Sequence, residues 1–518
     1  MSIQLGKLCS VVIEQRFGEI VRTVADDLFD SISKTIPMIR QSTNLERKEI
    51  IKSLQILIKF RLVKFTPAVF NDQMAEYSIL PARILLLLRY SRYIFWIRTR
   101  MTSPIEDKES ESLITEILNE GIMTGSELIV QVLLKYDIDK TMENITIYRD
   151  KFLELIRLEY LMRMPEPTSN EVQSEAVPKL TIDDGKLFVL PKIDLNTLNE
   201  LLKGNSAEIP DKDIYWGVNF DRFHQEFRDQ LLISAVERRI DSNAGECLKH
   251  MINLMYARTT PWEPASSPIS LAELRHMIEK KSPSVTLVKH LEEYLSMISS
   301  DTIGFLSKFS EAGGGQYRIE IKKVITELTW TCIEHVITEK FGSKAARIFR
   351  VVKLKKYIEQ EDIQKEAMIP AKEAKLLIYK LMEENFLHIH TVRKTGGGGS
   401  GPAKSFYLFH IKLQQIVNMM LDICYKAIFN AITRIDDDTL QHKRYFDKEK
   451  NVIAMTAIMQ ARGDPEEAVN EALEEAMTPA FKEILHKVNT RIDTLTTSEL
   501  AIDDTLFLLQ MFLYYNGK

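Results

Sequence analysis

From Tyr77 to Ile105 the chain has no acidic residue, and Arg83, Arg89, Arg92, Arg98 and Arg100 are interleaved with Tyr90, Tyr93, Phe95 and Trp96. Guanidinium groups neutralise phosphates and aromatic faces stack on unpaired bases. The mixture therefore suits single-stranded or melted DNA, with Tyr93 and Trp96 as stacking platforms. The competing account is an amphipathic helix whose aromatic rings are core and whose arginines lie along the apolar surface or pair with acids. Both accounts stand on the sequence alone.

A second basic cluster, Lys344, Arg347, Arg350, Lys353, Lys355 and Lys356, precedes Glu359, Glu361 and Asp362. It reads as a contact for DNA or an acidic protein, or as a solvated face. Arg393, Lys394 and Lys404 flank the run Gly396–Gly401, a flexible basic tip suited to a groove or a polymerase cleft, or else a solvated loop. The run also resembles an engineered linker.

Other constellations fail on geometry. The glycine run matches G-x-G-x-x-G, but Pro402 and the β-rich Ser405–Phe409 follow it, where a dinucleotide site needs a helix N-terminus. His388 and His390 alternate on one strand and His410 could lie opposite. Three imidazoles can hold zinc, although ordinary strand packing accounts for them more simply. Asp436, Asp437 and Asp438 are consecutive, so on a helix they point about 100° apart and cannot converge on an ion pair. His224, between Asp221 and Asp229, reads as part of a packed helix. No catalytic, cofactor or metal site is expected.

These residues need elements to carry them, and the chain repeats one plan four times: helices, a short strand, a polar or glycine-rich break, and a second strand. Arg16-Phe17-Gly18-Glu19 opens one copy and Lys340-Phe341-Gly342-Ser343 another. These copies run through amphipathic helices at Glu46–Phe60 and Pro370–Asn385. Strand pairs close them, Leu62–Phe65 with Ala75–Ile79 and Phe386–His390 with Ser405–Phe409, around a wing tip at Pro67–Gln73 in the first. Helices followed by a two-stranded hairpin describe a winged helix. The expected architecture is mainly α with small β wings, as four tandem winged-helix domains plus a C-terminal coiled-coil hairpin. The boundaries fall at 1–80, 81–195, 213–325, 326–411 and 412–518. In the second copy, Tyr160–Met164 is expected to pair with Leu187–Leu190. The tail is read as one long helix through Met459 and two more at Ala480–Leu495 and Glu499–Tyr515, with an apolar stripe that needs a partner or the winged-helix body.

Composition agrees. The 518 residues are too many for one core and suggest roughly three to five domains. Hydrophobic content of 45% with 27% charged residues describes a globular chain, and the net charge of −5 confines nucleic-acid contact to local patches. Cys9, Cys247, Cys332 and Cys424 are scattered, which suits reduced thiols in the cytosol or nucleus. No secretory signal is legible, and the longest aliphatic run, Ile84–Leu88, is far short of a membrane span. A soluble intracellular protein is expected.

The stretch Ile214-Tyr215-Trp216-Gly217-Val218-Asn219-Phe220-Asp221-Arg222-Phe223-His224-Gln225-Glu226-Phe227-Arg228-Asp229-Gln230 resembles a known family. That family is the largest subunit of the heterotrimer specific to RNA polymerase III, related to the alpha chain of general factor TFIIE. Ile3–Val21, Arg89–Tyr93, Phe341–Val352 and Ala367–Phe386 resemble it in the same order, so the likeness covers essentially the whole chain. The resemblance implies four winged helices and a coiled-coil hairpin in a non-catalytic, nuclear subunit on the polymerase clamp, beside two smaller heterotrimer subunits. It implies recruitment of the promoter-bound initiation factor and opening of promoter DNA for transfer RNA, the small ribosomal RNA and similar genes. A short linker follows the second copy, where some relatives carry a longer basic insertion.

The alternative is a free-standing winged-helix transcription factor reading duplex DNA. Such a reader places Arg, Asn or Gln at the exposed start of its recognition helix. Here those helices start Glu46-Arg47-Lys48-Glu49 and Pro370-Ala371-Lys372-Glu373, a mixed charge that suits protein docking at least as well.

Overall fold

A computed structural model describes residues 2–517 apart from 69–70, 101–106, 137–140, 168–176, 179, 204–209, 282–284, 394–404 and 463–476. The described chain divides into two compact units, Met1–Leu231 and Leu232–Lys518.

In the first unit, helix Ile3–Phe17 meets helix Glu19–Phe29 at Gly18, whose φ of 90° and ψ of 174° lie where only glycine sits without strain. Short strand Lys34–Thr35, helix Ile36–Thr43, recognition helix Arg47–Lys59 and strands Val63–Ala68 and Asn71–Ile79 follow. The last strand is central, pairing Lys34 with Tyr77 on one side and Val63 with Ile79 on the other. Val24, Leu28, Ile39, Ile50, Leu54 and Leu57 fill the core beneath it. The strands run into the expected wing tip and come within two residues of each other, so this wing is tighter than Pro67–Gln73.

Helices Pro81–Leu88 and Tyr90–Arg100 lead into a second copy: helix Lys108–Glu120, strand Met123–Thr124, helix Gly125–Lys135, recognition helix Met142–Arg157 and strand Leu161–Arg163. The expected strand partner is corrected here. Leu187–Leu190 forms no strand; Leu187 accepts a single backbone hydrogen bond from Arg163 at 3.0 Å. The central strand is Tyr215–Val218, which pairs Trp216 with Met123 and Val218 with Leu161. Trp216, Gly217 and Val218 are all buried, and the Trp216 ring packs edge-on against Phe152, an apolar fit that the exposed Val189 and Leu190 do not make. Segment 213–218, expected to begin the third copy, thus completes the sheet of the second. Asp211 ties the returning chain down by accepting from the backbone N–H and hydroxyl of Ser126 at 2.9 and 2.6 Å.

Within the second unit, helix Ser242–Met255, strand Ile269–Ser270, helix Leu271–Lys281, helix Leu291–Ser300 and strands Leu306–Ser310 and Gln316–Ile319 make the third copy. The final strand is again central, pairing Leu306 with Ile319 and Tyr317 with Ile269. The recognition helix of this copy, Leu291–Ser300, follows a short helical turn, Val285–Lys289, with His290 between them.

The fourth copy begins where helix Ile321–Phe341 turns at Gly342, with φ 87° and ψ 168°, into helix Ser343–Lys355. Helix Gln360–Ala367, recognition helix Ala371–Glu383 and strands His388–Arg393 and Ser405–His410 complete it. Ile358 bridges to Phe409 and stands in for the first strand, so the order is the same a fourth time.

The tail's first helix, expected unbroken through Met459, is divided at His442 into Leu413–Gln441 and Lys443–Arg462, and a single 38-residue helix, Pro479–Asn516, stands in place of the two expected after it. Thr496, Thr497 and Ser498 resemble a break but bond back to the carbonyls of Ile492, Asp493 and Thr494 at 2.7–2.9 Å, so the helix continues. Leu413–Gln441 is long and apolar enough to cross a membrane by length and composition, although its aliphatic residues form no run longer than Ile84–Leu88. Its stripe of Ile416, Val417, Met420, Leu421 and Ile428 is buried within the unit, where Pro479–Asn516 packs on it and on Ile321–Phe341.

Candidate nucleic-acid and docking interface

The arginine–aromatic segment is a packing seam. Tyr93 is fully buried, its ring against Phe220, Phe223 and Phe227, and its hydroxyl lies 3.0 Å from His224 Nε2. Trp96 packs edge-on against Phe227 and donates its indole N–H to Glu226. That carboxylate also accepts from the Tyr160 hydroxyl at 2.8 Å and pairs with Arg222 at 3.3 Å. Arg89 is buried, the Arg92 guanidinium lies 4.5 Å from the Phe227 ring centre, and Arg98 faces Glu111 at 3.7 Å. Arg83 is half-buried and sits near Arg61, whose pKa falls to about 10 through burial and then through Arg83. The Arg100 side chain lies outside the described residues. Tyr93 and Arg89 cannot reach a nucleic acid here. Their burial is set by Phe220, Phe223 and Phe227, spaced i, i+3, i+7 some 130 positions later, a signal present within the very stretch that carries the family resemblance.

Burial, reinforced by Arg89, Arg92 and Arg83, lowers the pKa of His224 to about 3, so the ring is neutral and serves the core as expected. Burial pushes the thiols of Cys9, Cys247 and Cys424 up to about 12, and all four cysteines are free.

The second basic cluster is paired almost ion by ion. Lys344 meets Glu373 at 2.7 Å, Lys353 meets Glu327 at 2.8 Å and Lys355 meets Glu366 at 2.7 Å, while Arg350 pairs with Glu334. Arg347 donates to the carbonyl of Ala367 at 3.2 Å and caps helix Gln360–Ala367. The cluster therefore ties helix Ser343–Lys355 to its neighbours. In the wing, Lys394 and Lys404 and the side chain of Arg393 lie outside the described residues, as does Gly396–Gly401. His388 and His410 do face each other in register, their ring centres 5.8 Å apart, and Tyr357 stacks on His410 at 5.4 Å. Among the described residues no group of three or more His, Cys, Asp or Glu is arranged to hold a metal.

The four recognition helices present different faces. The first exposes Arg47, Lys48, Lys52, Gln55 and Lys59. The second exposes Glu143, Ile147 and Asp150, and the third Glu292, Glu293 and Met297. The fourth exposes Lys372, Lys375, Leu376 and Tyr379, with the Lys375 ammonium 6.0 Å from the Tyr379 ring centre. Two acidic faces are unsuited to phosphate. The fourth face sets two outward apolar side chains, Leu376 and Tyr379, among its lysines.

Sequence models of four family domains match along the chain in order. Residues 7–68 match the RNA polymerase III subunit RPC82 helix-turn-helix domain and 150–328 match RNA polymerase III subunit RPC82. Residues 333–411 match the POLR3C C-terminal winged-helix domain and 444–508 the RPC3 helical hairpin domain. DNA-directed RNA polymerase III subunit RPC3 of Homo sapiens is 32% identical over 534 residues, covering 98% of each chain. The chain belongs to the RPC3 family. Within that family the Danio rerio protein is 28% identical with 99% of each chain covered, and the Dictyostelium discoideum protein 22% identical over 59% of this chain. The match to the human RPC3 spans all four winged helices and the hairpin, so the architecture and the relationship extend over the same residues.

Proposed function

We propose that the chain is a non-catalytic subunit of nuclear DNA-directed RNA polymerase III, acting in promoter recruitment and DNA opening at transfer RNA, small ribosomal RNA and similar genes. The observation that carries this reading is the end-to-end similarity to RPC3 proteins, coincident with four copies of one sheet order. Its partners are the two smaller subunits of the heterotrimer, the polymerase clamp and the promoter-bound initiation factor, with contact to single-stranded or melted DNA. The domain divisions at 1–80, 326–411 and 412–518 belong to the same proposal, with the second copy extended through Val218.

Polymerase III depleted of this chain should extend RNA on a tailed template at a normal rate while losing promoter-directed initiation, and the purified chain should restore initiation. Equal loss of both activities would place the chain in catalysis or core assembly and refute the reading. Deleting 412–518 is a poor test, because Leu509 and Phe512 of the last helix are buried in the body and Tyr514 packs on Trp262 at 5.1 Å.

A further inference from the structure

With Tyr93 and Arg89 buried and the cluster at 344–355 paired, DNA contact needs another surface. The first recognition helix looks mixed in sequence, but the fold separates its charges. Glu46 and Glu49 form a reciprocal capping box at the helix N-terminus, with Glu49 accepting from the Glu46 N–H at 3.1 Å. The Glu49 carboxylate is thereby engaged with backbone, and the Glu49 N–H in turn donates to the Glu46 carbonyl at 3.0 Å. Lys48, Lys52, Gln55 and Lys59 recur at i, i+4, i+7 and i+11 and share one face, about 6 Å apart per step of four. Lys59 pairs with Glu120 at 2.9 Å. Arg47, Lys48, Lys52 and nearby Arg40 are exposed, and their side chains have no hydrogen bond or ion pair among the described residues. Arg40 and Arg47 also line a cavity of about 700 Å³ between helix Ile36–Thr43 and strand Asn71–Ile79, with Ile36, Gln41 and Tyr77.

We infer that this face binds the phosphate backbone of duplex DNA, Arg47, Lys48 and Lys52 each meeting a phosphate from the recognition helix while Arg40 reaches one across the cavity mouth. The composition favours nucleic acid over protein. Stable protein interfaces have charge-depleted centres with aromatic anchors, and this helix face offers cations and amides with no aromatic residue. The fourth copy, with Leu376 and Tyr379 outward, is the converse. The inference rests on the proposed role at promoters and adds to it the side of the molecule that faces DNA.

The test uses the full chain and a labelled duplex of random sequence, with anisotropy measured across a salt series. Combined Arg47→Ala, Lys48→Ala and Lys52→Ala should weaken binding alike for all sequences and make the slope of log K against log salt shallower by about three, near one per contact. Combined Lys372→Ala and Lys375→Ala should leave the slope unchanged, and thermal melting of both variants should match the parent. An unchanged slope in the triple variant overturns the inference. An unchanged slope with lost polymerase co-purification also overturns it and assigns the face to an acidic protein. Either result leaves the depletion experiment, and so the proposed role, standing.

Discussion

His224 shows how a single side chain comes to depend on its neighbours. Its ring sits among arginines and aromatic rings and is neutral, with a pKa lowered to about 3. The folded state therefore resists a proton that the unfolded chain accepts below its ordinary value of 6.5. Its contribution to stability is complete above that value and is lost as pH falls towards 3, at up to about 1.4 kcal/mol per pH unit. His224→Gln should remove this part of the pH dependence. Between pH 7.5 and pH 5.5 the parent should lose about 1.4 kcal/mol more than the variant, read from urea midpoints. Tyr93→Ala empties the same seam and should cost about 3–5 kcal/mol by denaturation. At this scale the sequence showed which residue types were present but not their surroundings. The arginines and rings of 83–100 were visible, and so was the aromatic stripe at 220–227, yet only the fold pairs them.

Elements were the most legible level. The motif Arg16-Phe17-Gly18 and its copy Lys340-Phe341-Gly342 do mark the same helix–helix corner, and the two glycines share φ near 90°. A methyl group at either meets no atom within 4 Å, so the cost of Gly18→Ala or Gly342→Ala is backbone strain alone. Each should destabilise by roughly 1–3 kcal/mol, and the double variant should show the sum, since the corners belong to different compact units and neither methyl touches a neighbour. Thermal melting of the three variants checks both points. Misreadings at this scale have local causes. Thr496–Ser498 passed for a break because hydroxyl-to-carbonyl bonding inside a helix leaves no mark on the pattern. Mixed charge at the first recognition helix hid a segregation, because Glu49 turns back to accept from the Glu46 N–H while Lys48, Lys52 and Lys59 line one outer face.

Across the whole molecule, one sheet order is built four times on helices with different outer faces. The similarity to RPC3 proteins spans every copy, so all of them belong to one evolutionary unit. What the linear pattern could not show was the closing strand of the second copy. Tyr215–Val218 lies more than fifty positions beyond its partner Leu161–Arg163, past segments that resemble strands more strongly. That separation sets an order of events during synthesis. Until Val218 has left the ribosome the second sheet lacks its middle, and Met123–Thr124 and Leu161–Arg163 have no strand to join them. The first copy, complete at Ile79, can fold at once, while its neighbour waits for well over a hundred further residues. A stalled nascent chain with residues to about 200 outside the ribosome should carry one protease-resistant domain, and one with residues beyond 231 outside should carry two.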